Sequence, residues 1–471
     1  MMNDRARREG LLLLAAGLLA AVVLIEARTA FSQAPVDAGG PVDTTRSVRL
    51  NQVGFYPGAP KTAIVVDAPP EATFYVVTPD RADTVRSDVL SSLRSAPLAD
   101  TKVRRADFSG LQVPGRYVVD VPDVGQSHAF IVQPRVHRGV ARAALKGLYY
   151  QRASTALPRR HAGRWHRAAG HPDTTVRVHP SAASRARPLG TRIAAPKGWY
   201  DAGDYNKYVV NASIATATVL SLYEDFPVHA GSLRVDIPER ANSRPDVLDE
   251  ALWNLHWMLR MQAPDGGVYH KLTAPNFEGM NVSPAEADAR RYVVQKSTAA
   301  TLDFAAVMAQ AARIFDAPGG PSALSPDSLV RAAREAWQWA QHHPDSLYNQ
   351  RRLNRRFDPD VHTGAYGDDR LRDEFAWAAA ELYRTTGEAD FLKAADLFPV
   401  ASAPVPSWSQ VRTLGYYTLL REEPQNGEQV LHSRANRLVL EKADSLVRGA
   451  DTTAFRTPMG RRADDFVWGS N

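Results

Sequence analysis

The stretch SHAFIVQPRVHRGVARAALKGLYYQ, residues 127–151, contains the change that decides the fold. Its first eight residues are a short apolar run closed by Gln133-Pro134. From Val136 the apolar positions recur at helical spacing instead. Side chains alternate with a period of two on a strand and about 3.6 on a helix, so this is a switch of architecture. Working back toward the N-terminus, VRLNQVGF, KTAIVVDA, ATFYVVTP and GRYVVDVP are β-branched or aromatic runs broken by Pro, Gly and Asp. Short strands separated by turn signals predict a β-sandwich over residues 48–134.

Working forward, the helical period persists over residues 135–471. SRPDVLDEALWNLHWMLRMQ offers Ser243 as a cap and Pro245 in the first turn. KSTAATLDFAAVMAQAARIF is apolar on most sides and predicts a buried helix. SPDSLVRAAREAWQWAQHH opens on Ser-Pro, and LRDEFAWAAAELYRTTG closes on Gly387, a good C-cap. PSWSQVRTLGYYTLLRE and QVLHSRANRLVLEKADSLVRGA complete the series. No strict repeat is visible, so a large all-α domain with site-bearing loops is expected.

The chain has 471 residues, 44% of them hydrophobic, enough for more than one core. Its formal charge of +6 is scattered among acids, which reads as a solvated surface and excludes a nucleic-acid footprint. Leu11–Ile25 is an apolar run behind a basic flank, and Ala30-Phe31-Ser32 offers a small-x-small cleavage site. The run is shorter than the ~20 residues that span a bilayer. Residues 1–32 are therefore expected to be a signal peptide and 33–47 a linker. The mature protein is expected to be a secreted or periplasmic monomer with no membrane attachment. There is no cysteine, which excludes a thiol nucleophile and thiolate metal ligands.

GWYDAGDYNKYVV, residues 198–210, sets Asp201 and Asp204 among Trp199, Tyr200, Tyr205 and Tyr208. A helix is expected to follow, so Asp204 reads equally as its N-cap and Asp201 as a turn residue. Against that stand Gly203, which would let the chain turn sharply between the acids, and the aromatic faces, which suit sugar rings. Two carboxylates held close together raise each other's pKa, a cost met more often at active sites. Cleavage of a glycoside needs two carboxyl groups on opposite faces of the sugar. Two Asp three residues apart fit a shared task, holding and deprotonating one water.

These residues resemble a known family. VRLNQVGFYPGAPKTAIVV resembles the opening of the immunoglobulin-like module that precedes many glycoside hydrolase family 9 domains. GWYDAGDYNKYVVN resembles that family's signature around its paired aspartates. PDVLDEALWNLHWMLRMQAPDGGVYHKLTAPNF, RYVVQKSTAATLDFAAVMAQAARIF and TGAYGDDRLRDEFAWAAAELYRTTGEADFL resemble successive family segments. The resemblance implies an Ig-like β-sandwich followed by an (α/α)6 barrel, and hydrolysis of β-1,4-glucan, polymer or oligosaccharide, with inversion. On this chain Asp204 matches the general base and Asp201 the aspartate that helps hold the water. Trp199, Tyr200, Tyr205, His270 and Tyr366 are candidate substrate-binding residues. Trp253 and Trp257 read better as core than as sugar platforms.

Two departures from the family shape further expectations. Relatives with this module often hold zinc partly through cysteines, where this chain has Ala153 and Gly170. The histidines and acid left there, His161, His166, His171, Asp173 and His179, fit no compact motif, so no zinc is expected and the segment reads as a solvated loop. Thr363, Asp368, Asp373 and Glu374 offer oxygen ligands for calcium, or else acids compensating a helix dipole. The second departure is at DDFVWGSN, residues 464–471, which resembles a segment that relatives continue with closing helices and a general-acid glutamate. No residue of this chain is assigned as that acid. The barrel is expected to be C-terminally truncated and the chain as given to hydrolyse little. The alternatives are a carbohydrate-binding remnant without catalysis, or an exo-acting cellobiosidase or glucosaminidase of the same family.

Overall fold

A computed structural model describes residues 47–316, 324–424 and 427–459. The expected signal peptide, nearly all of the linker and the DDFVWGSN segment lie outside the described residues. The chain forms two units that change over between Gln133 and Pro134, with residues 94–102 belonging to the second.

The chain before Pro134 folds into antiparallel strands. β1 (Val48–Arg49), β2 (Thr62–Val66), β6 (Thr101–Asp107) and β5 (Arg94–Ala96) form one sheet in that order. β4 (Thr84–Val89), β3 (Thr73–Val77), β7 (Gly115–Val121) and β8 (Gly125–Gln126) form another, with β9 (Phe130–Val132) also on β7. Ala63, Val65, Phe74, Val76, Val119 and Val132 alternate inward to make its core. Phe55 meets Phe108 and Phe130 edge-on, at 5.5 and 5.6 Å between ring centres.

In the second unit eight helices exceed eight residues among the described residues. They are α1 (Arg138–Tyr150), α2 (Val209–Asp225), α3 (Asp246–Met261), α4 (Thr298–Asp316), α5 (Pro326–His342), α6 (Arg372–Thr386), α7 (Arg412–Leu420) and α8 (Gln429–Thr452). Packing alternates between neighbours and next-but-one helices: α2 against α3 and α4, α4 against α5 and α6, α6 against α7, α7 against α8. That alternation is how helical hairpins build a double layer. α4 lies at its centre, and its Ala-rich composition lets neighbouring backbones approach on every side. α6 ends at Gly387, whose φ of 75° supplies the left-handed C-cap. Ser243 does not cap α3; Pro245 stands at the N-cap position, and Asp246 instead accepts from the Val235 amide at 2.6 Å.

A small sheet in the order β11-β10-β14-β13-β12 links the loops: β10 (Val176–Val178), β11 (Arg192–Ile193), β12 (Lys207–Tyr208), β13 (Lys271–Thr273) and β14 (Tyr292–Val293). β12 pairs antiparallel to β13, setting Tyr208 opposite Lys271. This pairing places the loop of Asp201 and Asp204 beside β13.

Candidate active site

The helix after the two aspartates begins at Val209, with Tyr208 as N-cap residue. Asp204 is four residues earlier and therefore caps nothing. Its Oδ2 accepts from Tyr208 Oη at 2.9 Å and Asn206 Nδ2 at 2.6 Å, with the Asn206 amide at 3.4 Å. Among the described residues no protein donor reaches Oδ1. One edge of this half-buried carboxylate is thus fastened and the other left for a solvent molecule.

Asp201 is held on both oxygens. Asn211 Nδ2 donates to Oδ1 at 2.9 Å and Tyr366 Oη to Oδ2 at 2.8 Å. Burial is the main reason its pKa lies above the ordinary carboxylate value; the charge of Asp204 adds to the rise, and the two donated bonds oppose it. Mutual repulsion, the expected cause, is the smaller contributor.

Tyr366 has a left-handed φ of 46°, costly for a bulky side chain. Three bonds hold the loop that imposes it. Lys271 Nζ donates to the Gly364 carbonyl at 2.6 Å, the Gly364 amide donates to Tyr208 Oη at 3.1 Å, and His270 Nε2 donates to the Ala365 carbonyl at 2.8 Å. Tyr208 therefore touches both Asp204 and the loop that fastens Asp201. Lys271 also donates to Thr363 Oγ1 at 2.9 Å and Gln350 Oε1 at 2.8 Å. Its burial lowers the amine to about 7, and Asp204 opposes that shift.

His270 does not face an open cleft. It is fully buried, Nδ1 lies 2.9 Å from Ser297 Oγ, and its ring stacks on Tyr348 at 4.0 Å. Burial drops its pKa to about 3, so the ring is neutral. Trp199 and Tyr200 are likewise buried. Tyr200 Oη lies 2.8 Å from His171 Nδ1, and burial raises the phenol to about 12. Trp199 and Tyr200 thus support the loop from beneath, while Tyr205 and Tyr366 remain partly exposed. Trp257 is fully buried, and Trp253 is flanked by Arg152 at 4.5 Å and Lys197 at 5.0 Å. Trp408, unmarked by the sequence reading, is partly exposed and meets Tyr366 edge-on at 5.3 Å.

Gly203 is not the glycine the loop requires. Its φ is not in the left-handed region, and an added Cβ would meet open space. Gly198 is: its φ is 83°, and a Cβ would lie 2.8 Å from Trp257 Cγ.

The segment read as a solvated histidine loop is partly interior. His171 and His179 are buried, and Asp173 pairs with Lys207 at 2.8 Å and Arg291 at 2.9 Å. Among the expected calcium ligands, Thr363 is engaged by the Lys271 ammonium and by Thr273 Oγ1 at 2.6 Å, surroundings that repel a cation. Asp373 Oδ2 accepts from the Val411 amide at 2.9 Å. Asp368 Oδ2 and both oxygens of Glu374 are buried without partners, as are both oxygens of Asp303, which the sequence reading missed. Burial and the neighbouring acids push Asp303 and Glu374 well up. The donor chemistry suits a hard cation. As placed, however, no three His, Asp or Glu side chains among the described residues are grouped closely enough to hold one.

Comparison with known proteins agrees with this architecture. Residues 138–471 match glycosyl hydrolase family 9, and residues 43–126 match the cellulase N-terminal ig-like domain. A xyloglucan-specific endo-β-1,4-glucanase of Bacteroides ovatus is 42% identical over 90% of this chain and 72% of its own length. Endoglucanase D of Acetivibrio thermocellus is 33% identical over 90% of this chain and 65% of its own. A solved Bacteroides ovatus family 9 structure superposes with a TM-score of 0.84 at 40% identity, covering 89% of this chain and 77% of that one. An endoglucanase structure from Alicyclobacillus acidocaldarius gives 0.77 at 30% identity, covering 90% and 75%. The chain belongs to glycosyl hydrolase family 9, as a glycoside hydrolase whose Ig-like domain precedes an (α/α)6-type catalytic domain.

Proposed function

We propose that the protein hydrolyses β-1,4-glucosidic bonds of cellulose or a related β-glucan with inversion at the anomeric carbon. Asp204 acts as general base on a water, and Asp201 positions that water. The observation that carries this is the asymmetry of Asp204, with three donors on Oδ2 and, among the described residues, none on Oδ1. A base must keep one lone pair free within reach of the proton it takes. Asp201, ionised and fixed by Asn211 and Tyr366, accepts the water's second hydrogen and turns its oxygen lone pair toward the sugar. Tyr205, Tyr366 and Trp408 offer the partly exposed aromatic faces for the ring. The leaving oxygen must be protonated from the opposite face, a task for which no residue of this chain is assigned.

The test is release of reducing sugar by the full-length form of the protein from carboxymethyl cellulose, mixed-linkage glucan and xyloglucan, the last because a 42% identical relative bears that specificity in its name. Asp204→Asn is expected to lower kcat by about 10²–10⁴. Unchanged turnover would remove Asp204 from the mechanism. An α-anomeric first product by NMR is expected; a β-product would exclude inversion.

A binding-only protein is the second reading. It predicts retained oligosaccharide affinity with no turnover in any form of the protein. We further propose that the protein is exported, on the strength of the apolar run Leu11–Ile25 and its small-x-small site. We also propose a calcium ion recruited by Asp303, Asp368, Asp373 and Glu374; their partnerless buried oxygens support it, and their side chains would have to converge to grip it.

A further inference from the structure

A pocket of about 380 Å³ opens beside the candidate active site, between the 171–177 and 287–291 segments. Its floor holds the Asp173 carboxylate and Arg291, paired at 2.9 Å through Nε, and behind that lining the fully buried Lys207 Nζ reaches Asp173 at 2.8 Å. Lys207 otherwise donates to the carbonyls of Ala195 and Lys197, and Arg291 to that of Tyr205. No second carboxylate reaches either cation among the described residues. One carboxylate against two cations leaves a positive charge over in a desolvated place, which is costly unless a further anion approaches.

The walls add charge of the same sign. Arg177, Arg192 and Arg290 line the pocket, and none has a side-chain hydrogen bond or ion pair among the described residues. Asp288 is the one acid on the wall and offsets one of them. His171 also lines the pocket and adds no charge at neutral pH, because burial lowers its pKa to about 4. Guanidinium groups bind planar or tetrahedral oxyanions through paired N–H bonds, and a concave wall of them concentrates the field. The volume falls within the ~300–1,000 Å³ typical of small-molecule sites.

We propose that this pocket is a binding site for an oxyanion of monosaccharide size, a sugar carboxylate or a phosphate, held by Arg177, Arg192 and Arg290 above the Asp173–Arg291 floor. The site is separate from the aspartate pair yet mechanically joined to it. Arg291 Nη1 donates to the carbonyl of Tyr205, the residue after Asp204, at 2.6 Å.

The test is isothermal titration calorimetry of the intact protein with D-glucuronate, D-glucose 6-phosphate and inorganic phosphate. Sodium chloride at matched ionic strength controls for screening. Binding of at least one oxyanion is expected, weakened on the order of tenfold or more in the Arg177→Gln/Arg290→Gln double variant. Preference for glucuronate or glucose 6-phosphate would support the site and name a sugar acid or sugar phosphate; equal binding of inorganic phosphate would support it and name the free anion. No heat beyond that of chloride, or unchanged affinity in the double variant with an unchanged melting temperature, would overturn the proposal. The readout is binding, so its failure is distinct from failure of β-glucan hydrolysis.

Discussion

On the proposed mechanism, Asp201 and Tyr366 are the pair through which pH would act on the site. Burial raises the Asp201 pKa and the Tyr366 bond opposes that rise. A water-holding aspartate works ionised, so activity is lost as pH falls through this raised value. Tyr366→Phe removes a donor to the ionised form, raises the pKa further, and is expected to move the acid limb of kcat to higher pH. A limb unmoved in the pH–rate profile would show that Asp201 does not set it. Lys271 acts one step back, through Gly364 and Thr363 on the strained loop. Lys271→Met is expected to lower kcat with little change in KM, and to cost about 1–3 kcal/mol of stability for the buried acceptors left bare. Steady-state kinetics and urea unfolding separate the two effects. Asp201, Asp204 and the aromatic setting were legible as a motif. Tyr208, Asn211 and Lys271 were not marked as site residues, because nothing in their own stretches says which carboxylate they will meet.

Elements show where local pattern suffices and where it does not. The buried helix α4 announced itself by composition, and α6 by its terminal glycine. Strands β4 and β6 escaped the reading: TVRSDV is almost wholly exposed, and TKVRRAD sets two adjacent arginines between Val103 and Ala106, which hides any period of two. In β6 the Arg104 side chain is buried with its guanidinium on the carbonyls of Ala68 and Ser91, a cross-strand contact no local pattern reveals. The turn ahead of β12 depends on Gly198. Gly198→Ala meets both a left-handed φ and the Trp257 ring, and is expected to destabilise by about 2–4 kcal/mol. Gly203→Ala, with open space and ordinary φ, is expected to change stability by less than about 0.5 kcal/mol. Paired urea melts decide it, and equal losses would show that the assignment of the turn is wrong.

On the scale of the whole molecule, the buried acids of α4, α6 and the preceding loop bring Asp303 together with residues about 65–70 positions later in the chain. Calcium bound to the folded state alone would raise the melting temperature, as mass action requires. A rise in millimolar calcium, reversed by EDTA and absent in Asp303→Asn, is the expected result; the same rise in the variant would place the ion elsewhere. The sequence by itself determined the two architectures and the family, and it marked the aspartate pair as a motif. Each of these is written in periodicity or in contiguous residues, where neighbours in the chain are neighbours in space. Only the tertiary structure decided that Asp204 keeps one oxygen free, that His270 supports the loop from the interior, that Asp303 joins the acid cluster and that Lys207 and Arg291 share one carboxylate. Those facts depend on side chains brought together by helix and sheet packing, and on burial that changes what each group's charge costs.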